Sequence, residues 1–441
     1  MTKVGFISLG CSKNLVDTEV MLYNLHAAGF EITPNEEEAE IIVINTCGFI
    51  ESAKKEAIDN ILDAERLKEW GKCKHIIATG CLVERYGEEV MRELPELDAI
   101  VGVGSLAHIA EACSAVMRGE KFVSLCDKEK APLGGDRIIT TEPHTAYLKI
   151  SEGCDNLCTY CAIPLIRGRH RSRPIEDIVA EARDLEGMGV KELNLIAQDT
   201  TRYGLDIYGE YSLARLVRAL TEETKIPWIR LLYCYPDKIT DELIDELANN
   251  PRLVKYMDIP IQHISDSVLE RMNRHGGQAL IKETVKKLRE RVPGIVLRTT
   301  AMVGFPGETD EDFEELCEFI KEAKFDRLGA FTFSAEEGTQ AATFDGQIDE
   351  QVKQDRYDAL MQTQLTFTED LAAAKVGSVL NVLCDGFDTV AEVYYGRSYA
   401  DAPDVDGKVY FTSKRKINPG AFIEVKITEA LDYDLVGEAV L

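Results

Sequence analysis

Tyr147-Leu-Lys-Ile-Ser-Glu-Gly-Cys154-Asp-Asn-Leu-Cys158-Thr-Tyr-Cys161 is the stretch on which the reading of this chain turns. A short apolar strand run ends in a loop that presents three thiols. Their spacing, three residues and then two, differs from ferredoxin runs, which need four thiolates. Three thiolates around a four-iron cluster leave one iron open. An open metal position is one where a substrate or cofactor can bind. Two plainer readings stand beside it: a zinc knuckle completed by His170, and an accidental group of buried thiols. Gly153 and Pro164 frame the run as a loop, which argues against the second.

Downstream, strand runs alternate with amphipathic helices. Strands are expected at Ala146–Ile150, Glu192–Ile196, Trp228–Tyr233, Tyr256–Ile259, Val296–Thr300 and Arg327–Phe333. Helices fall near Ile175–Gly187, Leu213–Thr221, Asp241–Ala248, Asp266–Met272, Leu280–Arg291 and Glu311–Ala323, with a longer one over Asp349–Lys375. The rhythm predicts a partial α/β barrel or a complete one. Upstream, the strand runs Val4–Leu9, Ile41–Ile44, His75–Ala78 and Ala99–Val103 alternate with helices at Asp17–Ala28, Ala53–Leu67, Glu84–Leu94 and Ile109–Met117. That pattern predicts a doubly wound parallel sheet with helices on both faces. Asp127–His144 reads as a linker. The last stretch alternates apolar and polar residues between Gly, Asp and Pro, as in a small antiparallel β-barrel. The fold class is therefore α/β in three parts: 1–126, 140–375 and 376–441.

A second set of thiols becomes visible once the upstream strands are placed. Cys11, Cys47 and Cys81 each follow a strand, in the strings Leu-Gly-Cys11, Asn-Thr-Cys47-Gly and Thr-Gly-Cys81. In a doubly wound sheet ligands bind at the carboxyl strand ends, so three thiols delivered there can meet. Adjacent glycines allow close backbone approach, and helix N-termini favour thiolate over thiol. The plainer reading is three unrelated small core residues. The other six cysteines, Cys73, Cys113, Cys126, Cys234, Cys317 and Cys384, show no ligand spacing and read as small apolar residues.

Composition sets the outer limits. The chain has 441 residues, 12 cysteines, 45% apolar residues and a formal net charge of −27. No apolar run reaches the ~20 residues that span a bilayer, and the N-terminus lacks the pattern of a signal peptide. The expectation is a cytoplasmic protein with no membrane partner, whose cysteines are metal ligands or buried thiols, not disulfides. The acidic balance disfavours generic attraction to nucleic acid and favours a basic protein partner.

The Cys-x3-Cys-x2-Cys spacing, with aromatic Tyr160 before the third cysteine, resembles the radical S-adenosylmethionine superfamily. The resemblance implies that Cys154, Cys158 and Cys161 hold a [4Fe-4S] cluster whose open iron is chelated by the cofactor's amino and carboxylate groups. An electron then cleaves the sulfonium to a 5′-deoxyadenosyl radical, which abstracts a hydrogen. Tyr160 would pack near the adenine, or serve as a core tyrosine. Three N-terminal cysteines, this central motif and a C-terminal barrel like a TRAM domain together resemble the methylthiotransferase family over essentially the whole chain. That resemblance implies a second, auxiliary [4Fe-4S] cluster on Cys11, Cys47 and Cys81. This cluster carries a sulfur species that is methylated from a second S-adenosylmethionine and transferred as CH3S. An electron donor and a sulfur source are implied with it.

One branch of that family modifies an adenosine in tRNA, the other the β-carbon of an aspartate in ribosomal protein S12 of the small subunit. The strings Ser8-Leu-Gly-Cys11-Ser-Lys-Asn-Leu-Val-Asp17, Asn45-Thr-Cys-Gly-Phe-Ile50, Ile259-Pro-Ile-Gln-His263 and Gly396-Arg-Ser-Tyr-Ala-Asp-Ala-Pro-Asp-Val-Asp-Gly407 resemble the second branch. Charge points the same way. Residues 378–441 hold eleven acidic and six basic side chains, whereas a barrel that binds phosphates presents a positive groove. A basic ribosomal protein suits it better. tRNA remains the alternative substrate. A non-catalytic iron–sulfur or zinc scaffold is the alternative from another class.

Weaker signals complete the reading. Gly304, in Thr299-Thr-Ala-Met-Val-Gly-Phe-Pro-Gly-Glu308, resembles a cofactor-side glycine, or marks an ordinary turn. Gln198, at a strand end with Asp199, reads as a cofactor contact or a loop cap. His263 reads as a substrate contact near a strand end or, better, as a hydrogen-bonded core histidine. The arginines of Arg167–Arg173 read as cofactor or substrate contacts, or as a solvated face.

Overall fold

The computed structural model describes residues 1–440; Leu441, the last residue of the expected barrel, lies outside them. Strands β1 (Lys3–Ser8), β2 (Glu31–Ile32), β3 (Ile41–Thr46), β4 (His75–Gly80), β5 (Ala99–Val101) and β6 (Phe122–Ser124) form one parallel sheet in the order β2-β1-β3-β4-β5-β6. The central strand β3 is buried at every position, as a parallel strand covered on both faces must be. Ile42, Ile44, Ile76 and Ala78 pack against the helix Glu51–Trp70 on one face. Val4, Ile41, Val43 and Ile77 pack against helices Ser12–Ala27 and Ile109–Met117 on the other.

β7 (Thr145–Lys149) begins the central unit. It is followed by a two-residue hairpin, β8 (Ser151–Glu152) with β9 (Arg171–Ser172), that brackets the Cys154–Cys161 loop. β10 (Glu192–Ile196), β11 (Trp228–Leu231), β12 (Leu253–Asp258), β13 (Val296–Val303) and β14 (Arg327–Thr332) then join β7 in one parallel sheet, in the order β14-β13-β12-β11-β10-β7. The barrel is partial: β7 and β14 are its free edges. Helix Glu350–Ala373 packs beside β14.

β15 (Val379–Asp388), β16 (Val393–Ser398), β17 (Val409–Thr412), β18 (Phe422–Leu431) and β19 (Asp434–Ala439) close into a barrel. Its pairings are antiparallel except β17 with β19, which run parallel. Five strands cannot alternate direction all the way round a closed ring, so one parallel pairing is unavoidable. Its core is Val382, Val409, Phe411, Val425, Ile427 and Leu435.

An open barrel leaves the inward face of its sheet to be covered by something else, and two pieces cover it. Leu15 and Val16, on the first helix, reach it from the N-terminal unit. Residues 399–406, within the Gly396–Gly407 string, insert from the C-terminal barrel. Ala400 and Ala402 pack among Tyr147, Trp228, Tyr256 and Val296. The string is tied down by Arg230 to the Tyr399 carbonyl at 2.8 Å, Arg327 to Asp401 at 3.0 Å, and the Tyr147 and Tyr256 hydroxyls to Asp404 and Asp406 at 2.8 and 2.7 Å. A specific-looking sequence string is thus an internal plug of the central sheet. Beside it Glu192, fully buried, accepts from both Arg230 and Arg397. Burial opposes its ionisation, and the two guanidiniums more than offset that.

Three expectations need correction. The helix expected over Glu84–Leu94 is two short ones, Cys81–Tyr86 and Glu88–Glu93, broken at Gly87 with φ +57°. The stretch Asp127–His144 is not a free linker. Arg137 within it makes a buried ion pair with Glu19 at 2.6 Å, and Ile138 donates to the Glu19 carbonyl. Cys126 is exposed, unlike the buried Cys73, Cys113, Cys234 and Cys384. Among the described residues, no helix is long and apolar enough to cross a membrane.

Candidate metal centres and the wall between them

The three upstream cysteines stand at the carboxyl ends of β1, β3 and β4. Cys11 is the N-cap of helix Ser12–Ala27, Cys47 follows β3 directly, and Cys81 opens helix Cys81–Tyr86. Their loops touch. A Cβ on Gly10, whose φ is +89°, would lie 2.9 Å from the Cys47 Cβ, and one on Gly48 would lie 2.7 Å from the Leu82 nitrogen. Only glycine lets these backbones approach so closely.

Asn14 fastens the group from within. Its Nδ2 donates to the carbonyls of Leu9 and Thr46, both at 3.0 Å, and its Oδ1 accepts from the Cys81 thiol at 3.4 Å. One fully buried amide therefore links the Cys11, Cys47 and Cys81 loops. Sequence reasoning passed over it. Its only signal was the position one helical turn after Cys11.

The downstream trio is held by a different set of partners. Asn156 donates to Asp199 at 2.8 Å and accepts from Lys238 at 2.9 Å. Asn273 donates to the Leu157 carbonyl at 2.9 Å, and Thr159 to the Arg271 carbonyl at 2.8 Å. The loop is pinned at most of its turns, so its thiols are presented by a rigid frame. The Cys158 sulfur sits 2.8 Å from the Tyr235 hydroxyl, and Arg274 stacks on the Tyr235 ring at 4.0 Å. Gln198 donates to Glu152 at 2.7 Å while its buried Oε1 has no partner. Asp199 serves the loop frame.

Burial governs the thiols. It pushes Cys81 and Cys154 up to about 12, and raises Cys161 and Cys47 as well. The thiolate expected at a helix N-terminus is therefore not favoured at Cys81, even though Arg167 beside it pulls the other way. Such sites release protons when they take up metal. Each place offers three thiols, the donor chemistry an iron–sulfur cluster takes, although among the described residues no three ligands stand gathered around a single metal position. The zinc-knuckle reading fares worse. His170 points its Nε2 at Ser172, 3.1 Å away, with Asp206 beyond.

Of the weaker sequence signals, Tyr160 lies edge-on to Phe305 with ring centroids 6.5 Å apart. It lines a cavity of about 660 Å³ with Phe49, Ile50, Met302, Phe331 and Phe333. That cavity borders both the Cys47 loop and the Cys154–Cys161 loop. Gly304 has φ +74°, and its Cα faces the stem of Lys353, so this glycine serves the packing of the helix Glu350–Ala373. His263 is a buried core histidine whose Nδ1 accepts from the Ser265 nitrogen. Of the arginine run, Arg169 is exposed. Arg171 and Arg173 bind carbonyls of Lys128, Ala131 and Lys149. Arg167 is 2% exposed and reaches the upstream site.

The two sites share a wall. Cys81 packs against Ala162 and Ile166, and Ala162 directly follows Cys161. The wall is the short helix Ile163–Arg167, which starts two residues after the downstream trio. The clasp on the other side is ionic. Glu336 binds Arg85 at 3.0 Å and Lys54 at 3.2 Å.

The C-terminal barrel is not uniformly acidic outside. Asp385, Asp401 and Asp406 are spent on contacts with His144, Arg397, Arg327, Arg298 and Tyr256. The β18–β19 hairpin presents Glu424, Glu429, Asp432 and Glu438 outward, while Lys414, Arg415 and Lys416 form an exposed basic turn.

Comparison with known proteins places this architecture. Residues 148–320 match the model of the radical SAM superfamily, residues 3–102 that of the uncharacterized protein family UPF0004, and residues 376–440 the TRAM domain. Solved structures of similar fold include the radical S-adenosylmethionine methyltransferase TsrM from Kitasatospora setae. Its TM-score is 0.55 at 16% identity, over 75% of this chain and 73% of that one. The cobalamin-dependent S-adenosylmethionine radical enzyme OxsB has a TM-score of 0.52 at 13% identity, over 82% and 56%. At these identities the likeness concerns the fold alone. In sequence the chain is 49% identical to the ribosomal protein uS12 methylthiotransferase RimO of Clostridium tetani, over 99% of this chain and 98% of that one. It is 50% identical to the protein of the same name from Caldanaerobacter subterraneus, over 99% and 100%. The chain belongs to the RimO family of radical S-adenosylmethionine methylthiotransferases.

Proposed function

We propose that the chain transfers a CH3S group to the β-carbon of an aspartate in ribosomal protein S12. We assign it two [4Fe-4S] clusters, one on Cys154, Cys158 and Cys161 and one on Cys11, Cys47 and Cys81. The observation that carries the reading is the packing of Cys81 in one cluster with Ala162 and Ile166, in the segment directly after Cys161. Two three-thiol sites with only one helical turn between them can act on one acceptor. When bound, the downstream cluster supplies the electron that cleaves S-adenosylmethionine and the upstream one holds the sulfur to be transferred.

The chain's own side chains then have definite tasks. Asn156, Asp199, Lys238 and Asn273 hold the downstream thiols in place. Gln198, anchored on Glu152, offers a free Oε1 as an acceptor in the site, and Tyr160 lines, with aromatic and polar side chains together, the cavity where the cofactor's adenine would lie. The acidic β18–β19 hairpin suits a basic ribosomal protein. The division into 1–126, 140–375 and 376–441 follows the same assignment: sulfur site, radical site and partner contact.

Iron analysis and product analysis test it together. Anaerobically reconstituted protein is expected to hold about eight irons per chain, four in each cluster. Alanine at Cys154, Cys158 or Cys161 should abolish 5′-deoxyadenosine formation. Alanine at Cys11, Cys47 or Cys81 should spare it and stop CH3S transfer. Mass spectrometry of S12 and of tRNA from cells with and without the gene identifies the acceptor. A methylthio mass increment on tRNA and none on S12 would overturn the assignment.

A further inference from the structure

We propose that Arg167 is a positioning residue of the upstream centre, a guanidinium that sets the reduction potential of the cluster held by Cys11, Cys47 and Cys81. The inference rests on the two-cluster reading above.

Arg167 ends the helix Ile163–Arg167, which begins beside Cys161. Its side chain crosses to the other site. Nη1 donates to Asp17 Oδ2 at 2.6 Å and to Glu152 Oε2 at 3.2 Å. Nη2 donates to Asn14 Oδ1 and to the Cys81 sulfur, the latter at 3.4 Å. Lys149 completes the group, bound to Asp17 at 2.6 Å and to Glu152 at 2.8 Å. All four charged side chains are less than 10% exposed.

Two cations and two carboxylates balance, and of the four it is Arg167 that touches sulfur. A cluster gains a negative charge on reduction. A cationic donor on a ligand sulfur stabilises that form and raises the potential. Cys81 and the four charged side chains are buried, so the effect at that sulfur is weakly screened, although Cys11 faces solvent. Asp17 and Glu152 oppose it by drawing the guanidinium's charge toward themselves. Because the helix that carries Arg167 starts at the radical-site loop, any shift of that loop alters the contact to Cys81.

A merely structural Arg167 would hold its neighbours in place and do no more. The two roles separate by sign. In protein with Cys154, Cys158 and Cys161 all replaced by alanine, and reconstituted with iron and sulfide, only the upstream cluster remains. Its midpoint potential is read by electron paramagnetic resonance during titration with dithionite. Arg167→Gln is expected to lower the potential by a tenfold change in the reduction equilibrium, about 59 mV for one electron. Arg167→Lys should recover part of that, and Asp17→Asn should raise the potential. Potentials unchanged at full iron content, or Arg167→Gln and Asp17→Asn shifting in the same direction, overturn the proposal. So does loss of iron in Arg167→Gln together with no shift in Arg167→Lys and Asp17→Asn. Absence of iron in the background protein itself brings down the two-cluster reading instead.

Discussion

The Cys81 thiol donates to Asn14 Oδ1 at 3.4 Å, and the same amide holds the backbone in front of Cys11 and Cys47 through Nδ2. Asn14 is therefore where three loops from three strands are brought to one point. Replacing it with alanine takes the partner from the buried Thr46 carbonyl, at a cost of about 1–3 kcal/mol, and from the half-buried Leu9 carbonyl at a smaller one. Asn14→Ala is expected to lower the thermal midpoint and to strip iron selectively from the upstream site. Iron content should fall toward that of the Cys11→Ala protein, while 5′-deoxyadenosine formation persists.

The clasp at Glu336 joins the N-terminal unit to the central one. Arg85 and Glu336 are almost fully buried, and Glu336 also accepts from the Glu51 nitrogen at 2.8 Å. Breaking a buried pair from one side costs about 3–5 kcal/mol. Glu336→Ala should therefore loosen the unit that carries Cys47, seen as faster amide exchange in residues 48–60. Burial opposes ionisation of Glu336, but Ser334, Arg85 and Lys54 together hold it below its ordinary value of 4.5. A depressed carboxylate stabilises the fold above its unfolded value and stops doing so as pH falls through its folded one. The stability difference between the natural protein and Glu336→Gln should accordingly be constant above pH 4.5 and shrink below it. A difference that grows on acidification contradicts this.

Glu192 sits between Arg230 and Arg397, and Arg397 is the C-terminal barrel's main charged contact with the central sheet. Arg397→Leu strands part of the Glu192 and Asp385 charge, again at about 3–5 kcal/mol. The barrel should then melt as a separate transition in calorimetry and become cleavable near Gly377. Adding Glu192→Gln to that protein should restore part of the stability, because the two changes share one partner network.

The β18–β19 hairpin makes a kinetic prediction. Replacing Glu424, Glu429 and Glu438 with glutamine should slow association with purified ribosomal protein S12 about tenfold at low salt, since electrostatic steering of this kind spans ~10–1000-fold. The difference should fade as ionic strength rises. The equivalent neutralisation of Lys414, Arg415 and Lys416 should not slow it. Slower association in the second variant and not in the first would place the partner contact on the basic turn.

Much of this molecule was legible in one dimension. Helices Ile109–Met117 and Ile175–Gly187 and strand Glu192–Ile196 lie where periodicity places them, because hydrophobic spacing along a chain is fixed by backbone geometry alone. The short edge strand Glu31–Ile32 and the last barrel strand Asp434–Ala439 were missed. The first is too short to show a period, and the second has only one large apolar residue, Leu435, among its inward positions, the others being Gly437 and Ala439.

The same division holds for the site. Spacing nominates Cys154, Cys158 and Cys161 as one ligand set, and strand-end position nominates Cys11, Cys47 and Cys81 as another, because a thiol announces its chemistry wherever it stands. Asn14, Asp17, Lys149 and Arg167 announce nothing, being common polar residues whose roles arise from partners far away in the chain. Arg167 meets Cys81 only because two separate sheets dock against one helix, and the plug at 399–406 acquires meaning only against the open face it fills. Local pattern is written by the chain's own geometry; a buried charge network is decided by which distant surfaces come to exclude water together.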